Sequence, residues 1–261
     1  MDDQPGRRVT VEHEGAVAVI TLDYPERRNA LSLELREELH DAVAAAMADA
    51  SVRALVLTGA GGTFCAGGDI SGMAGLTPLA GRARVARLHR LVRLLVQGDK
   101  PVLAAVEGHA VGAGLSLAAA CDVVVSAEDA RWSCAFNRIG LMPDMGAAWL
   151  LPARMGLGRA RRVMLTSETF GTAQAAEWGL VEEVTAPGAA RARACDMAAE
   201  IAARAPGAVA ATKAWLGRGP MTLEQVLAAE ADTQAMLFGT ADFEEGRTAF
   251  LDKRTPDFRG E

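Results

Sequence analysis

The sequence predicts an α/β core followed by a mostly helical C-terminal part. Three observations support this fold class. Short apolar runs alternate with segments of helical periodicity over the first two-thirds of the chain, glycine-rich turns follow two of those runs, and the last third shows almost only helical patterns. With 261 residues, half of them hydrophobic, the chain can bury one large core.

The individual elements are predicted from apolar periodicity and turn residues. Glu14 and Gly15 separate two apolar runs and indicate a hairpin, and Ser32 is a suitable N-cap for the helix that follows. The predicted strands are 9–13, 16–22, 54–57, 102–106, 122–125 and 131–136. The predicted helices are 33–50, 82–97, 115–121, 147–155, 160–167, 173–178, 189–205, 208–216, 222–237 and 243–251.

The stretch from 102 to 127 is predicted to form a buried strand, a tight glycine turn, a short helix and a second strand. Small residues at the start of a helix allow close approach to the backbone, where free N–H groups favour developing negative charge. A second glycine turn, at residues 66–70, follows the strand at 54–57. Each turn alone is more typical of ordinary loop structure, whereas together they resemble two halves of an oxyanion hole.

Charge and cysteine usage limit the class of protein. A net charge of −6 and a pI near 5.4 argue against binding to nucleic acid or to an anionic membrane surface. The four cysteines lack Cys-x-x-Cys spacing, which predicts reduced thiols in a cytoplasmic protein and no metal site. The acidic, polar residues 1–5 predict that no signal peptide is present.

An ordered set of motifs resembles the crotonase (enoyl-CoA hydratase/isomerase) superfamily. The motifs are Pro25-x-x-x-Asn29-Ala30-Leu31, Phe64-Cys65-Ala66-Gly67-Gly68-Asp69-Ile70, Gly108-x-Ala110-x-Gly112-Ala113-Gly114-x-x-Leu117, Cys121-Asp122, Ile139-Gly140-Leu141-x-Pro143 and Thr248-Ala249-Phe250-Leu251-x-Lys253-Arg254. Each piece alone is weak. Their order and spacing, from about Val9 to Phe258, make the set specific.

The resemblance implies a ClpP-like spiral of ββα turns and an acyl-CoA thioester as substrate, with no cofactor other than the coenzyme A that the substrate carries. It divides the chain into a core, residues 1–200, that binds the acyl-CoA and a helical region, 201–261, for trimerisation and active-site cover. A homotrimer or a dimer of trimers is therefore expected.

By the same resemblance, the backbone N–H groups of Gly68 and Ala113 would stabilise an enolate of the thioester carbonyl. The residues expected to contact substrate or CoA are Arg28, Ala30, Ala66, Gly67, Asp69, Ile70, Gly112, Phe136, Phe250 and Lys253. Lys253 is equally compatible with a solvated charge on a helix.

The reaction type depends on the acid and base residues. Family hydratases carry two glutamates, at places that hold Ser116 and Phe136 here. Asp144 instead follows Pro143, as in members such as ring-opened phenylacetyl-CoA isomerases and dienoyl-CoA isomerases, where this Asp moves protons. Apolar neighbours (Met142, Met145, Ala147 and Trp149) would raise the pKa of Asp144. Taken alone, Asp144 also suits the N-cap of the helix at 147–155.

A serine nucleophile is not expected at Ser116, although Gly114-Leu115-Ser116 resembles a nucleophile elbow. Every histidine precedes Ser116 in the chain, so the usual orders of a serine triad do not occur. We therefore predict an enzyme that isomerises an acyl-CoA through an enolate, with Asp144 as the proton-transfer group. The alternatives are a hydratase that uses Asp144 and water, and a non-catalytic acyl-CoA-binding protein.

Overall fold

A computed structural model describes residues 8–261, so the N-terminal residues 1–5 discussed above lie outside the described part. The nine strands of the described part are β1 (Val9–Glu14), β2 (Val17–Leu22), β3 (Ala54–Gly59), β4 (Val102–Val106), β5 (His109–Val111), β6 (Val123–Ala127), β7 (Arg131–Ser133), β8 (Thr169–Gly171) and β9 (Glu183–Thr185). Its α-helices are α1 (Leu33–Ala48), α2 (Pro78–Gln97), α3 (Ala113–Ala119), α4 (Ala147–Met155), α5 (Leu157–Thr166), α6 (Thr172–Glu177), α7 (Ala190–Ala202), α8 (Pro206–Leu216), α9 (Leu223–Leu237) and α10 (Ala241–Asp252).

Two sheets organise the core. The larger has the order β1-β2-β3-β4-β6-β9, in which β1 and β2 form the predicted hairpin and every other pair is parallel. The smaller has the order β5-β7-β8. An isolated bridge between Cys65 and Ala110 connects the segment after β3 to the strand β5. Because parallel strands have their carboxyl ends at one edge, the loops after β3 and β4 meet there.

Helices cover both faces of the large sheet. One face packs against α1, α2 and α3 through residues such as Leu39, Leu91 and Leu115, all nearly inaccessible to solvent. The other face packs against the alanine-rich side of α7, including Ala194 and Ala198. Small side chains on α7 allow the helix to lie close to the β-branched residues of the strands.

Most predicted elements are confirmed, with shifts at their ends. Ser32 caps α1 as predicted, since its Oγ accepts a hydrogen bond from Leu35 N at 3.2 Å. The helix predicted at 82–97 begins at Pro78, because Thr77 caps it by accepting from Ala80 N at 3.2 Å.

The central stretch needs a correction, because the three-residue strand β5 stands between β4 and the glycine turn. Only three residues pair in β5, in β8 and in β9. Such short segments carry too few positions for a periodicity to show. The strand predicted at 131–136 likewise stops at Ser133 and continues as a 3-10 helix, Ala135–Ile139.

Three helices, α8, α9 and α10, follow the last helix that packs on the large sheet. The predicted division of the chain at residue 200 falls in the last turn of α7 and remains a prediction. All four cysteines are free and buried, in agreement with the expectation of reduced thiols. Among the helices of residues 8–261, none combines the length and the apolar character that crossing a bilayer requires.

Candidate active site

The two glycine turns predicted to act together do lie together. Cys65 N donates to His109 O at 2.9 Å, and Val111 N donates to Cys65 O at 3.0 Å, so the two chain segments run side by side. Gly67, which has a φ of +108°, lies where these two segments come close to each other. A Cβ atom on Gly67 would lie 2.9 Å from Val111 O and 3.8 Å from Ala113 N. Gly67 therefore brings the turn at 66–70 directly against the start of α3.

The amides of Gly68 and Ala113 lack hydrogen-bond acceptors among residues 8–261. Ala113 is the first residue of α3, so its N–H has no acceptor within the helix. Across residues 8–261, neither this amide nor that of Gly68 donates a hydrogen bond to another group of the protein. Gly112, with a φ of +54°, turns the chain immediately before Ala113. Two unpartnered donors on adjacent turns are the arrangement that an oxyanion hole requires.

The loop at 25–30 joins the same surface. The carbonyl of Arg28 accepts from Ala66 N at 2.9 Å, and Leu31 N donates to Gly67 O at 2.7 Å. Arg28 is exposed and Ala30 is partly so. The structure thus brings the predicted contacts Arg28, Ala30, Ala66 and Gly67 into one continuous strip of backbone beside the glycine turns.

Of the other residues of the turn at 66–70, Asp69 is partly exposed and Ile70 is exposed. Asp69 N donates to Leu31 O at 3.1 Å, which fixes its backbone, while its carboxylate accepts from the N–H and hydroxyl of Ser71 at 2.9 and 2.6 Å. The hydroxyl and amide of Ser71 hold the pKa of Asp69 below its usual value. Ile70 is 58% exposed and leaves an apolar surface available for contact.

Asn29 fixes the backbone of this strip through buried hydrogen bonds. The sequence motif alone did not reveal this role. The Asn29 side chain is fully buried, and its Oδ1 accepts from Tyr24 N at 2.8 Å. Its Nδ2 donates to Ala60 O at 2.9 Å and to Thr63 O at 2.6 Å. Because both amide ends are used, Asn29 holds the loop at 25–30 against the segment after β3.

Asp144 has a largely buried carboxyl that is close enough to Arg36, His89 and Arg84 to be influenced by their charges. Its Oδ1 is buried without a hydrogen-bond partner in the described residues, and burial raises the pKa of the carboxyl above its usual value. Charges on Arg36, His89 and Arg84 oppose that rise in pKa. Of the neighbours expected to desolvate it, Met145 and Ala147 are buried.

Two other expectations about Asp144 are wrong. Met142 and Trp149, also expected to desolvate it, are 74% and 44% exposed. The alternative role of Asp144 as a helix cap is excluded too. Gly146 is the N-cap of α4, and no side chain makes the capping hydrogen bond there. The carboxylate of Asp144 is therefore not used by the helix.

A buried arginine, not singled out by the motifs, completes the polar groups of the site. Arg36 lies in the first turns of α1 and is 7% exposed. A Cβ atom on Gly68 would stand 3.0 Å from Arg36 Nη2, so the guanidinium covers this glycine. Burial and the nearby Arg84 lower the pKa of Arg36 to about 10. The signal was present in the sequence: Arg36 shares a helix face with Leu39 and Val43, which are both buried.

The two positions at which family hydratases are expected to carry glutamates hold Ser116 and Phe136, and neither side chain is an acid. Ser116 is fully buried, and its Oγ donates to Gly112 O at 3.3 Å within the helix, which agrees with a packing role. Phe136 lies in the 3-10 helix after β7 and is 7% exposed.

Phe250 and Lys253, in contrast, are not brought to the site within one chain. Both are exposed at the end of α10, and the tail that follows is held near the start of β3, where Arg53 Nη2 donates to Phe258 O at 2.6 Å. The glycine turns follow the opposite ends of the strands. A contact of these two residues with a ligand at the turns would have to come from another copy of the chain.

Comparisons with known proteins agree on one family. Residues 12–261 match the family model described as enoyl-CoA hydratase/isomerase. A Rhodobacter capsulatus protein named "Probable enoyl-CoA hydratase" is 41% identical over 97% of this chain and 98% of its own. The 1,2-epoxyphenylacetyl-CoA isomerase of Escherichia coli is 35% identical over 95% and 96%. The crystal structure of an enoyl-CoA hydratase from Polaromonas, 35% identical, gives a TM-score of 0.92 over 96% of this chain and 99% of that one.

Proposed function

The chain is an enzyme of the enoyl-CoA hydratase/isomerase family, acting on acyl-CoA thioesters, and from that premise we propose that it moves a double bond of its substrate through an enolate. The family resemblance and the crotonase fold predicted from the motifs are both confirmed. The reaction type and the roles of individual residues are what we propose here.

The first element of the proposal is the stabilisation of the enolate. The thioester oxygen would accept hydrogen bonds from the N–H groups of Gly68 and Ala113, which have no acceptor within residues 8–261. Negative charge that develops on this oxygen gains most from donors that are already in place, and removal of one such donor typically costs about 3 kcal/mol of transition-state stabilisation.

The second element is the proton transfer by Asp144. Its carboxylate would take a proton from the carbon beside the thioester carbonyl and return it to the far carbon of the original double bond. The double bond then lies next to the carbonyl, and atoms and charge balance. A carboxyl whose pKa is raised by burial is a stronger base than an ordinary aspartate, which suits abstraction from carbon.

One observation carries the preference for isomerisation over hydration. The buried carboxylate oxygen of Asp144 has no partner, while the two positions where hydratases hold their glutamates are the buried residues Ser116 and Phe136. The two-carboxylate water addition of the family's hydratases therefore lacks both of its usual groups here. A single carboxylate that moves one proton between two carbons suffices for isomerisation.

Binding of the CoA portion is assigned to the strip beside the turns. Arg28 and Ala30 would contact CoA from one loop, and Ala66, Asp69 and Ile70 from the turn that follows β3. Gly67 and Gly112 would shape the backbone that the thioester passes, and Phe136 would face the acyl chain. No cofactor beyond the CoA of the substrate is proposed, and free, buried thiols favour action in the cytoplasm.

We also propose a trimer, or a dimer of trimers, assembled through residues 201–261. Large apolar side chains are unusually exposed on this region: Leu216, Leu223, Met236, Phe238, Phe250 and Leu251 range from 61% to 83% exposure. Apolar surface of this kind is typical of a protein interface. Assembly would also explain how Phe250 and Lys253 reach the CoA of a neighbouring copy and help to cover its site.

The test is the substitution Asp144→Asn, which keeps the shape of the side chain and removes its basicity. We expect turnover of 3-enoyl-CoA to fall by at least a thousandfold, while the Kd of a saturated acyl-CoA changes less than threefold. Asp129→Asn, an exposed carboxylate in the loop before β7, is the matched control and should retain full activity. An unchanged kcat in Asp144→Asn would remove this residue from the mechanism.

Two further measurements separate the alternatives. Incubation with crotonyl-CoA, followed by the loss of enoyl absorbance, reports hydration, and rapid hydration would overturn the preference for isomerisation. Tight binding without turnover across enoyl, dienoyl and aryl-acyl esters would instead identify a non-catalytic acyl-CoA-binding protein.

A further inference from the structure

The guanidinium of Arg36 is buried beside the reaction site without a counter-ion in contact. It is 7% exposed, its Nε has no hydrogen-bond partner, and no carboxylate of residues 8–261 lies within ion-pair distance of it. Burial of an unpaired charge is costly unless a partner compensates for it. The position of this arginine therefore requires an explanation other than stability.

The location of Arg36 connects it to the substrate. Its Nη2 and Met73 Cε would be 3.0 and 3.3 Å from a Cβ atom on Gly68, so these two side chains cover the glycine whose amide we assign to the thioester oxygen. The buried, unpartnered Oδ1 of Asp144 is close enough for the two charges to influence each other. A bound acyl group would thus extend between a proton-transfer carboxylate and a guanidinium.

The local charge favours an anionic partner. Arg84 adds a second cation, and its Nη2 lies 3.5 Å from the carbonyl oxygen of Asp69. Two carboxylates are nearby: that of Asp69 is already bound by Ser71, and that of Asp144 is not within ion-pair distance of Arg36. Desolvation and Arg84 also lower the pKa of Arg36, to about 10, which leaves it protonated at neutral pH. The positive charge at this end of the site is therefore only partly balanced.

We propose that Arg36 binds a carboxylate carried by the acyl group, so that the preferred substrates are CoA thioesters of dicarboxylic acids. The planar fork of a guanidinium matches a carboxylate in a bidentate geometry, and such pairs are strongest where water is excluded. This inference rests on the proposed function, because it takes the amide of Gly68 as the site of the thioester oxygen.

The experiment compares saturated esters, which have no double bond to move, so that binding is measured without turnover. Calorimetry with succinyl-CoA against butanoyl-CoA, and with glutaryl-CoA against pentanoyl-CoA, replaces a terminal methyl by a carboxylate at constant carbon number. The wild-type protein should bind the dicarboxylic ester at least tenfold more tightly at one or both lengths. Equal or weaker binding of both dicarboxylic esters would overturn the proposal.

Substitutions at Arg36 show whether this side chain causes the preference for dicarboxylic esters. Arg36→Met should abolish the preference and leave the Kd of pentanoyl-CoA within twofold, and Arg36→Lys should keep part of it. Arg161→Met removes one exposed arginine of α5, controls for long-range charge and should leave the preference intact. A loss of affinity for all four esters in Arg36→Met, with an unchanged melting temperature, would overturn the proposal.

Two outcomes distinguish this inference from the proposed function. Retained preference in Arg36→Met, together with a lower kcat, would mean that Arg36 acts through Asp144 and not on the acyl carboxylate, which overturns the inference alone. Failure of the wild-type protein to bind any of the four esters would overturn both. If Arg36→Met does not fold, the wild-type preference and its reduction in Arg36→Lys decide the question.

Discussion

Gly114 lies directly against the backbone of Cys65: a Cβ atom on Gly114 would come within 2.9 Å of Cys65 Cβ and closer still to its carbonyl oxygen. That carbonyl cannot easily move away, because it accepts a hydrogen bond from Val111 N at 3.0 Å. Gly114 is the second residue of α3, and Cys65 precedes the turn at 66–70. The contact therefore sets the distance between the two turns that carry the amides of Gly68 and Ala113.

Substitution Gly114→Ala should disturb this contact. The added methyl group must displace buried backbone, and overpacking of this kind typically costs about 1–3 kcal/mol. Because the displaced segment leads into Gly68, we expect activity to fall at least tenfold even in the folded fraction. Urea unfolding and steady-state kinetics measure the two effects.

The matched control is Gly158→Ala in α5, where a Cβ atom would meet nothing within 4 Å. Its stability should be unchanged or raised, by up to about 1 kcal/mol, because alanine favours the helix. Equal stability of the two variants would contradict the structural role of the Gly114 contact.

The fold was largely predictable because its core elements have strong local signals. Four of the central strands are continuous apolar runs, and the long helices repeat apolar residues at helical spacing. The paired segments of β5, β8 and β9 were missed because each contains three residues. Which strands neighbour one another, as when Cys65 bridges to Ala110, depends on tertiary packing that no local pattern records.

The parts of the site that are formed by backbone at glycine turns could be predicted from the sequence. The parts that depend on side chains from distant segments coming together were harder to predict. Glycine spacing identified the two turns. The proximity of Arg36 to Gly68 could not be read from residues 32 positions apart in the sequence, although a charge on the apolar face of a helix was a usable sign. The roles expected for Phe250 and Lys253 remain predictions, because they require a second copy of the chain.

Asn29→Ala should destabilise the protein and loosen the loop that carries Arg28. Three hydrogen bonds are lost, and the carbonyls of Ala60 and Thr63 and the amide of Tyr24 are left without this partner. We expect the free energy of unfolding to fall by roughly 3 kcal/mol, since unsatisfied buried groups cost about 1–3 kcal/mol.

Gln174→Ala, which removes an exposed side-chain amide from α6, should change the free energy of unfolding by less than about 0.5 kcal/mol. Chemical denaturation of both variants checks the difference. A loss in Asn29→Ala no larger than in Gln174→Ala would show that the loop at 25–30 does not depend on this side chain.

Lys213→Met should weaken the attachment of α8 to the core. Lys213 is 6% exposed, and its Nζ donates to Asp122 Oδ2 at 2.5 Å and to the carbonyls of Leu95 and Lys100 at 2.7 and 2.9 Å. Asp122 is partly exposed, so its charge stays solvated after the substitution, and the main loss is that of the hydrogen bonds to the two carbonyls, about 1–3 kcal/mol. Thermal and urea unfolding should show a loss of this size. Lys253→Met, at an exposed position, should show almost none.

As the pH is lowered, the rate of the reaction should begin to fall at a higher pH than it would if the base were an aspartate with its usual pKa. Burial raises the pKa of Asp144, and a base must be ionised to accept a proton, so kcat/KM should drop tenfold per pH unit below that raised pKa. Asp69 cannot produce this limb, because its hydrogen bonds with Ser71 lower its pKa.

The measurement is a pH–rate profile for wild type and for Asp144→Asn, with circular dichroism at each pH to confirm that the protein stays folded. The wild-type profile should bend above about pH 4, the usual region for a carboxyl of this type. The residual rate of Asp144→Asn should be flat over the same range. A wild-type rate that stays constant down to about pH 4 would show that no buried carboxylate with a raised pKa takes the proton, and the assignment of Asp144 as the base would then fail.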